Sequence, residues 1–133
     1  MLGEQFGERK GKITGQRVLD AEGPAIETNV SATGNFAGSQ VRVTLTYMGK
    51  SVSNGVLHGL GNGVVMSTEG DVASYTGEGI GKIDPSGTVH WRGSLLYRSS
   101  SNGKLASLNN LILVLEAEVD AEGNFSEKTW EWK

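Results

Sequence analysis

Residues 57–97 read LHGLGNGVVMSTEGDVASYTGEGIGKIDPSGTVHWRGSLLY, three alternating runs joined by two turns of one chemical type. In the middle run Tyr75, Gly77, Gly79, Gly81 and Ile83 share one face and Ser74, Thr76, Glu78, Ile80 and Lys82 the other, because strand side chains alternate. The run ends in Asp84-Pro85-Ser86-Gly87. Proline suits the second position of a type I turn, and glycine the left-handed residue of the G1 bulge that follows. That turn sets a register in which Ile83 faces Val89, Gly81 faces Trp91, Gly79 faces Gly93, Gly77 faces Leu95 and Tyr75 faces Tyr97. The preceding turn, Ser67-Thr68-Glu69-Gly70, has the same form and sets Gly61 against Gly77, Gly59 against Gly79 and Gly63 against Tyr75.

Three neighbouring strands therefore share a face of Val65, Ala73, Tyr75, Ile83, Val89, Trp91, Leu95 and Tyr97 over a floor of glycines. This face is read as inward. Glycine in a strand costs backbone entropy and packing, so a ladder of it needs a reason. One reason is room for Trp91 and the sharp coiling of a small closed sheet. The other is a lumen left open for a ligand.

The rest of the chain continues the pattern. Residues 1–11 show neither period and read as a loose lead-in to a first strand over Lys12–Leu19, whose faces are ambiguous. A half-buried strand with Ile26, Thr28, Val30 and Ala32 on one side follows the turn Asp20-Ala21-Glu22-Gly23. Val41, Val43, Leu45 and Tyr47 form the clearest period-two run, and Asn54-Gly55 is a hairpin signal. After Tyr97 come a polar loop, Arg98 to Gly103, and a segment Leu105 to Asn110 with the character of one helical turn. Leu111 to Val119 is apolar on both faces at first, and its partner after Asp120-Ala121-Glu122-Gly123 sets Trp130 and Trp132 beside Val114 and Ile112, with Lys128 beside Glu116.

The sum is an all-β chain of about eight strands, an antiparallel up-and-down meander forming a small closed or nearly closed β-barrel that spans residues 1–133 as one domain. The short meanders with Gly-x-Gly strands and the Trp91-Arg92-Gly93 strand resemble the small bacterial barrels grouped with calycins and with allene oxide cyclase. That resemblance implies a fold and a lumen. It transfers no catalytic residue.

Composition narrows the partners. There is no cysteine, which excludes disulfides, thiolate zinc and thiol catalysis, and a net charge of −3 with mixed signs lacks the basic footprint of a nucleic-acid binder. No apolar run approaches the roughly 20 residues of a membrane-spanning helix. The polar stretch from Met1 to Lys12 does not read as a signal peptide, so a soluble cytoplasmic protein without a membrane partner is expected. With His58 and His90 the only histidines, no metal site is expected, nor is a cofactor. Gly93-Ser94-Leu95 lacks the context of a nucleophile elbow, and Gly59-Leu60-Gly61-Asn62-Gly63 precedes a hairpin rather than a phosphate-binding helix.

Two candidate sites remain. The inward set is Tyr47, Tyr75, Gly77, Gly79, Trp91, Leu95 and Tyr97, suited to a small apolar ligand. If the faces are inverted, the polar set His58, Glu78, His90 and Arg92 lines the lumen and supplies acid–base candidates. Binding of an apolar molecule is the leading expectation. A cyclase or isomerase using a shaped lumen is the second, and an oligomeric barrel with no ligand the third. A lumen of roughly 300 Å³ or more favours a ligand, whereas one filled by side chains rejects ligand binding and in-barrel catalysis together and favours the structural account. A homo-oligomer, dimer or larger, is expected through Ile112, Val114, Trp130 and Trp132.

Overall fold

A computed structural model describes residues 2–99 and 102–133. Its eight strands are β1 (Leu2–Asp20), β2 (Ala25–Phe36), β3 (Ser39–Ser53), β4 (Val56–Ser67), β5 (Val72–Ile83), β6 (Val89–Ser99), β7 (Ile112–Val119) and β8 (Asn124–Trp132). Each pairs antiparallel with its sequence neighbour, and β1 pairs with β8 to close the barrel. Closure leaves no free sheet edge. No helix among the described residues is long and apolar enough to cross a membrane.

The turns set the register as their chemistry requires. Asp84 Oδ1 accepts the backbone N–H groups of Ser86 and Thr88, Gly87 N–H donates to Asp84 O, and Gly87 takes φ +87°. Asp120 repeats the pattern with Glu122, Asn124 and Gly123, and the Ser67 hydroxyl does so with Glu69 and Asp71. A carboxylate or hydroxyl thereby satisfies donors that the turn would leave orphaned. The resulting pairs are those read from the sequence, from Ile83–Val89 through Tyr75–Tyr97 on one side of β5 and from Gly59–Gly79 through Gly63–Tyr75 on the other.

One expectation is overturned. Residues 2–11 are the first half of β1 rather than a loose lead-in, since they pair with β8 from Leu2 onward and with β2 from Gly7 onward. Their glycines sit where neighbours press closest: a Cβ on Gly11 would lie 2.0 Å from Ser31 O, and one on Gly7 2.3 Å from Phe36 Cδ1. A register shift between Ile13 and Gly15 explains the ambiguous faces of the second half. It switches the parity, so Arg9, Gly11 and Ile13 point inward before it and Gln16, beside inward Thr28, after it.

The two barrel ends differ. After β6 the chain forms a 3-10 turn, Lys104–Leu108, where a single helical turn is expected, and Leu105 and Leu108 are fully buried in the core with Phe36, Tyr97 and Leu113. Asn109 ties this plug down, accepting Ser99 N–H through Oδ1 and donating to Ser99 O through Nδ2. Ser100 and Ser101 of the polar loop lie outside the described residues. The opposite end, bordered by the turns at Asp20, Asn54, Asp84 and Asp120, carries no such plug among the described residues.

The glycine floor is occupied. A Cβ on Gly59 would lie 2.6 Å from Trp91 Cζ3, one on Gly63 2.5 Å from the Tyr75 ring, and one on Gly77 2.6 Å from Leu95 Cδ2. Gly79 and Gly93 are pressed by the backbone of the facing strand, at 2.6 Å from Arg92 O and 2.2 Å from Glu78 O. Room for large side chains and tight coiling is thus what the ladder provides. Gly59→Ala is expected to destabilise the protein by about 1–3 kcal/mol through overpacking against the indole. Gly15→Ala, which meets only Asn29 Nδ2 at 3.8 Å, should instead stabilise by about 0.5–1 kcal/mol. Urea denaturation of both variants checks the contrast.

Candidate functional site

The inward face is the one that carries Tyr75, Trp91, Leu95 and Tyr97, all buried, with Tyr47 half-buried and Gly77 and Gly79 on the inner wall. His58, Glu78, His90 and Arg92 are exposed on the outer face, so the inverted arrangement does not occur. They border an outer concavity of about 1430 Å³ whose lining also includes Leu60 and Ile80. Among the described residues no three His, Asp or Glu side chains gather as a metal site.

His90 illustrates the outer surface. Its Nε2 lies 2.8 Å from Asp84 Oδ2 and its Nδ1 3.3 Å from Glu118 Oε1. The hydrogen bond to Asp84 raises the His90 pKa above its usual value, and Ser86 and His90 together hold Asp84 below the carboxylate range. The stabilisation from His90 is therefore fully present below about pH 6.5, its unfolded value. It is lost as pH rises through the higher folded value. That from Asp84 is present above the usual carboxylate pKa and lost as pH falls through the depressed one. Asp84→Asn should move the His90 titration to lower pH in an NMR pH series, and an unmoved midpoint would contradict the pairing.

Inside, the aromatic residues form two groups at different depths. Tyr75 and Tyr97 pack at 5.0 Å between centroids, with Phe36 5.2 Å from Tyr97. Tyr47 and Trp91 meet edge to face at 5.4 Å nearer the open end. Between them lies a cavity of about 80 Å³ walled by Leu45, Tyr47, Tyr75, Trp91, Leu95, Leu115, Ala117, Phe125 and Glu127 with the glycines of β4 and β5. Tyr97 is not in that wall. It packs behind Tyr75 instead, and its hydroxyl accepts from Arg9 Nη1 at 3.3 Å.

Arg9 and Glu127 are the residues that sequence reading missed. They are direct ladder partners on β1 and β8, both inward, 1% and 5% exposed, and paired through Arg9 Nη2 and Glu127 Oε1. The guanidinium stands 5.1 Å from the Phe36 ring centroid and 5.7 Å from that of Tyr75, an arrangement that offsets part of its desolvation. Burial pushes the Tyr75 and Tyr97 hydroxyls up in pKa against the opposing pull of Arg9, so both stay neutral phenols. Parity held a signal: Glu127 and Thr129 share the face of inward Phe125.

Outside the cavity, the open end is a concavity of about 630 Å³ bordered by Ile13, Leu57, Val89 and Val119 and reaching down to Tyr47 and Trp91. These two aromatic residues belong to both walls, so the indole and phenol separate mouth from cavity. Gln16 Nε2 donates to Thr28 Oγ1 at 3.1 Å, and burial raises the Tyr47 hydroxyl in pKa against the opposing pull of neighbouring Thr28 and Trp91. The Trp91 contact is a loose one. The buried Nε1–H makes no hydrogen bond of good geometry even though the Tyr47 oxygen is near enough to feel it.

No protein-family model matches the chain, and no curated protein does. Solved structures do match. A β-barrel-like protein from Acinetobacter baumannii superposes with TM-score 0.83 at 12% identity, covering 100% of this chain and 96% of that one. A protein of unknown function from Clostridium acetobutylicum gives 0.81 at 13%, covering 98% of each chain. A conserved protein of unknown function from Rhodopseudomonas palustris gives 0.79 at 11%, covering 98% and 97%. The chain shares their barrel fold. At these identities the likeness is one of architecture, and their descriptions carry no activity.

Proposed function

We propose that this protein binds a small, mainly apolar molecule at the open end of its barrel, with a slender part of the ligand passing Trp91 into the lumen. The observation that supports this is the inequality of the ends: one is plugged by Leu105 and Leu108, the other opens as a concavity of about 630 Å³ onto an aromatic pair. The inner cavity of about 80 Å³ is well below the 300 Å³ of a whole-ligand site. The ligand body therefore rests in the mouth, and only its tip enters the lumen. A ligand-enclosing barrel of the calycin or allene oxide cyclase kind is the same reading at family level.

The test uses Trp91 as the only indole, in a Trp130→Phe/Trp132→Phe background. Titration with dialkyl ethers of increasing chain length should give a saturable change in Trp91 emission, with affinity rising with length until the mouth is filled. A linear, non-saturating response across the whole series would overturn the proposal.

A second reading coexists with the first. Trp132, Ile112, Leu2 and Leu96 are 58%, 51%, 51% and 43% exposed, and the ladders place them side by side across β6, β7, β8 and β1. The 3-10 turn sends Leu105 and Leu108 into the core and leaves all four exposed. Such a strip suits a second copy of the chain. Trp132→Glu should lower the sedimenting mass, and an unchanged mass distribution would count against this interface.

A further inference from the structure

We infer that the lumen selects ligands whose leading end carries an uncharged hydroxyl, and that Glu127 is the acceptor that reads it. This rests on the binding reading above and names the class of ligand. Glu127 lines the cavity and is 5% exposed. Its Oε1 is taken by Arg9, while Oε2 has no donor among the described residues. A carboxylate so far removed from water needs donors for its remaining lone pairs. Its direct ladder partner on β7 is Ala117, a single methyl, which also lines the cavity.

The surroundings decide what kind of donor fits. Arg9 neutralises Glu127, so an entering ammonium would lose its hydration for a site of no net charge and meet the guanidinium next door. An entering carboxylate would face Glu127 itself. A neutral O–H loses little on desolvation and gains a charge-assisted hydrogen bond. The volume agrees: a cavity of about 150 Å³ takes up a benzene ring. The roughly 80 Å³ here suits a hydroxymethyl or hydroxyethyl end rather than a ring.

The experiment compares n-hexanol with its isomer butyl ethyl ether, which has the same atoms but no donor, and with hexanoate and hexylammonium, all read by Trp91 emission in the two-phenylalanine background. Hexanol is expected to bind about tenfold more tightly than the ether, and both ions more weakly than hexanol. In Arg9→Met/Glu127→Met, whose apolar pair replaces the ionic one, the preference for hexanol over the ether should vanish. Equal affinities for hexanol and ether in the native lumen, or tighter binding of either ion, would overturn the inference and leave the binding site standing. Binding of none of the four would instead overturn the binding reading. The native comparison needs no altered lumen, so poor folding of the double variant would not protect the inference.

Discussion

Replacing Trp91 by alanine is expected to lower the free energy of unfolding by about 3–5 kcal/mol, the usual cost of deleting a buried aromatic side chain. The indole is buried over Gly49, Gly59 and Gly81 and edge-on to Tyr47, so its contacts come from three strands that cannot all collapse into the space it leaves. The same change removes the partition between the cavity of about 80 Å³ and the mouth of about 630 Å³. Longer ethers should therefore bind to Trp91→Ala, followed calorimetrically, even as its stability falls. Loss of stability together with loss of all binding would mean that the indole is the ligand platform and not a partition.

The second large effect concerns the ion pair. Arg9→Met alone, or Glu127→Met alone, should cost about 3–5 kcal/mol, because each strands an uncompensated charge in a closed barrel. The double methionine variant should be near neutral or more stable by about 1–4 kcal/mol, since the desolvation of both charges disappears together. Guanidinium is unsuitable for this comparison because its ionic strength screens charge, so urea is the denaturant of choice. Costs of the single changes that simply add in the double variant would contradict the coupling.

Much of the barrel was legible because its turns carry their geometry in their side chains. Asp84-Pro85-Ser86-Gly87 fixes two strands to the residue, and alternation then assigns every face between Leu57 and Tyr97. The outward position of His58, Glu78, His90 and Arg92 followed from the same parity. What escaped reading was non-local. Residues 2–11 have no period of their own, and they become a strand only because β8, joined from Gly7 onward by β2, supplies partners. Arg9 was hidden with them, and Glu127 lost its partner in the reading. The size of the lumen was equally out of reach, since whether glycine leaves space or receives an indole depends on the strand across the ladder.

The most direct test of the binding site is an NMR titration of the native chain with butyl ethyl ether that follows the three indole N–H resonances. Trp91 alone should shift, in a saturable manner, because its N–H is buried beside the lumen while Trp132 stands on the outer face. A stationary Trp91 signal, or shifts confined to Trp130 and Trp132, would place the apolar contact on the outside of the barrel and contradict a ligand site within it.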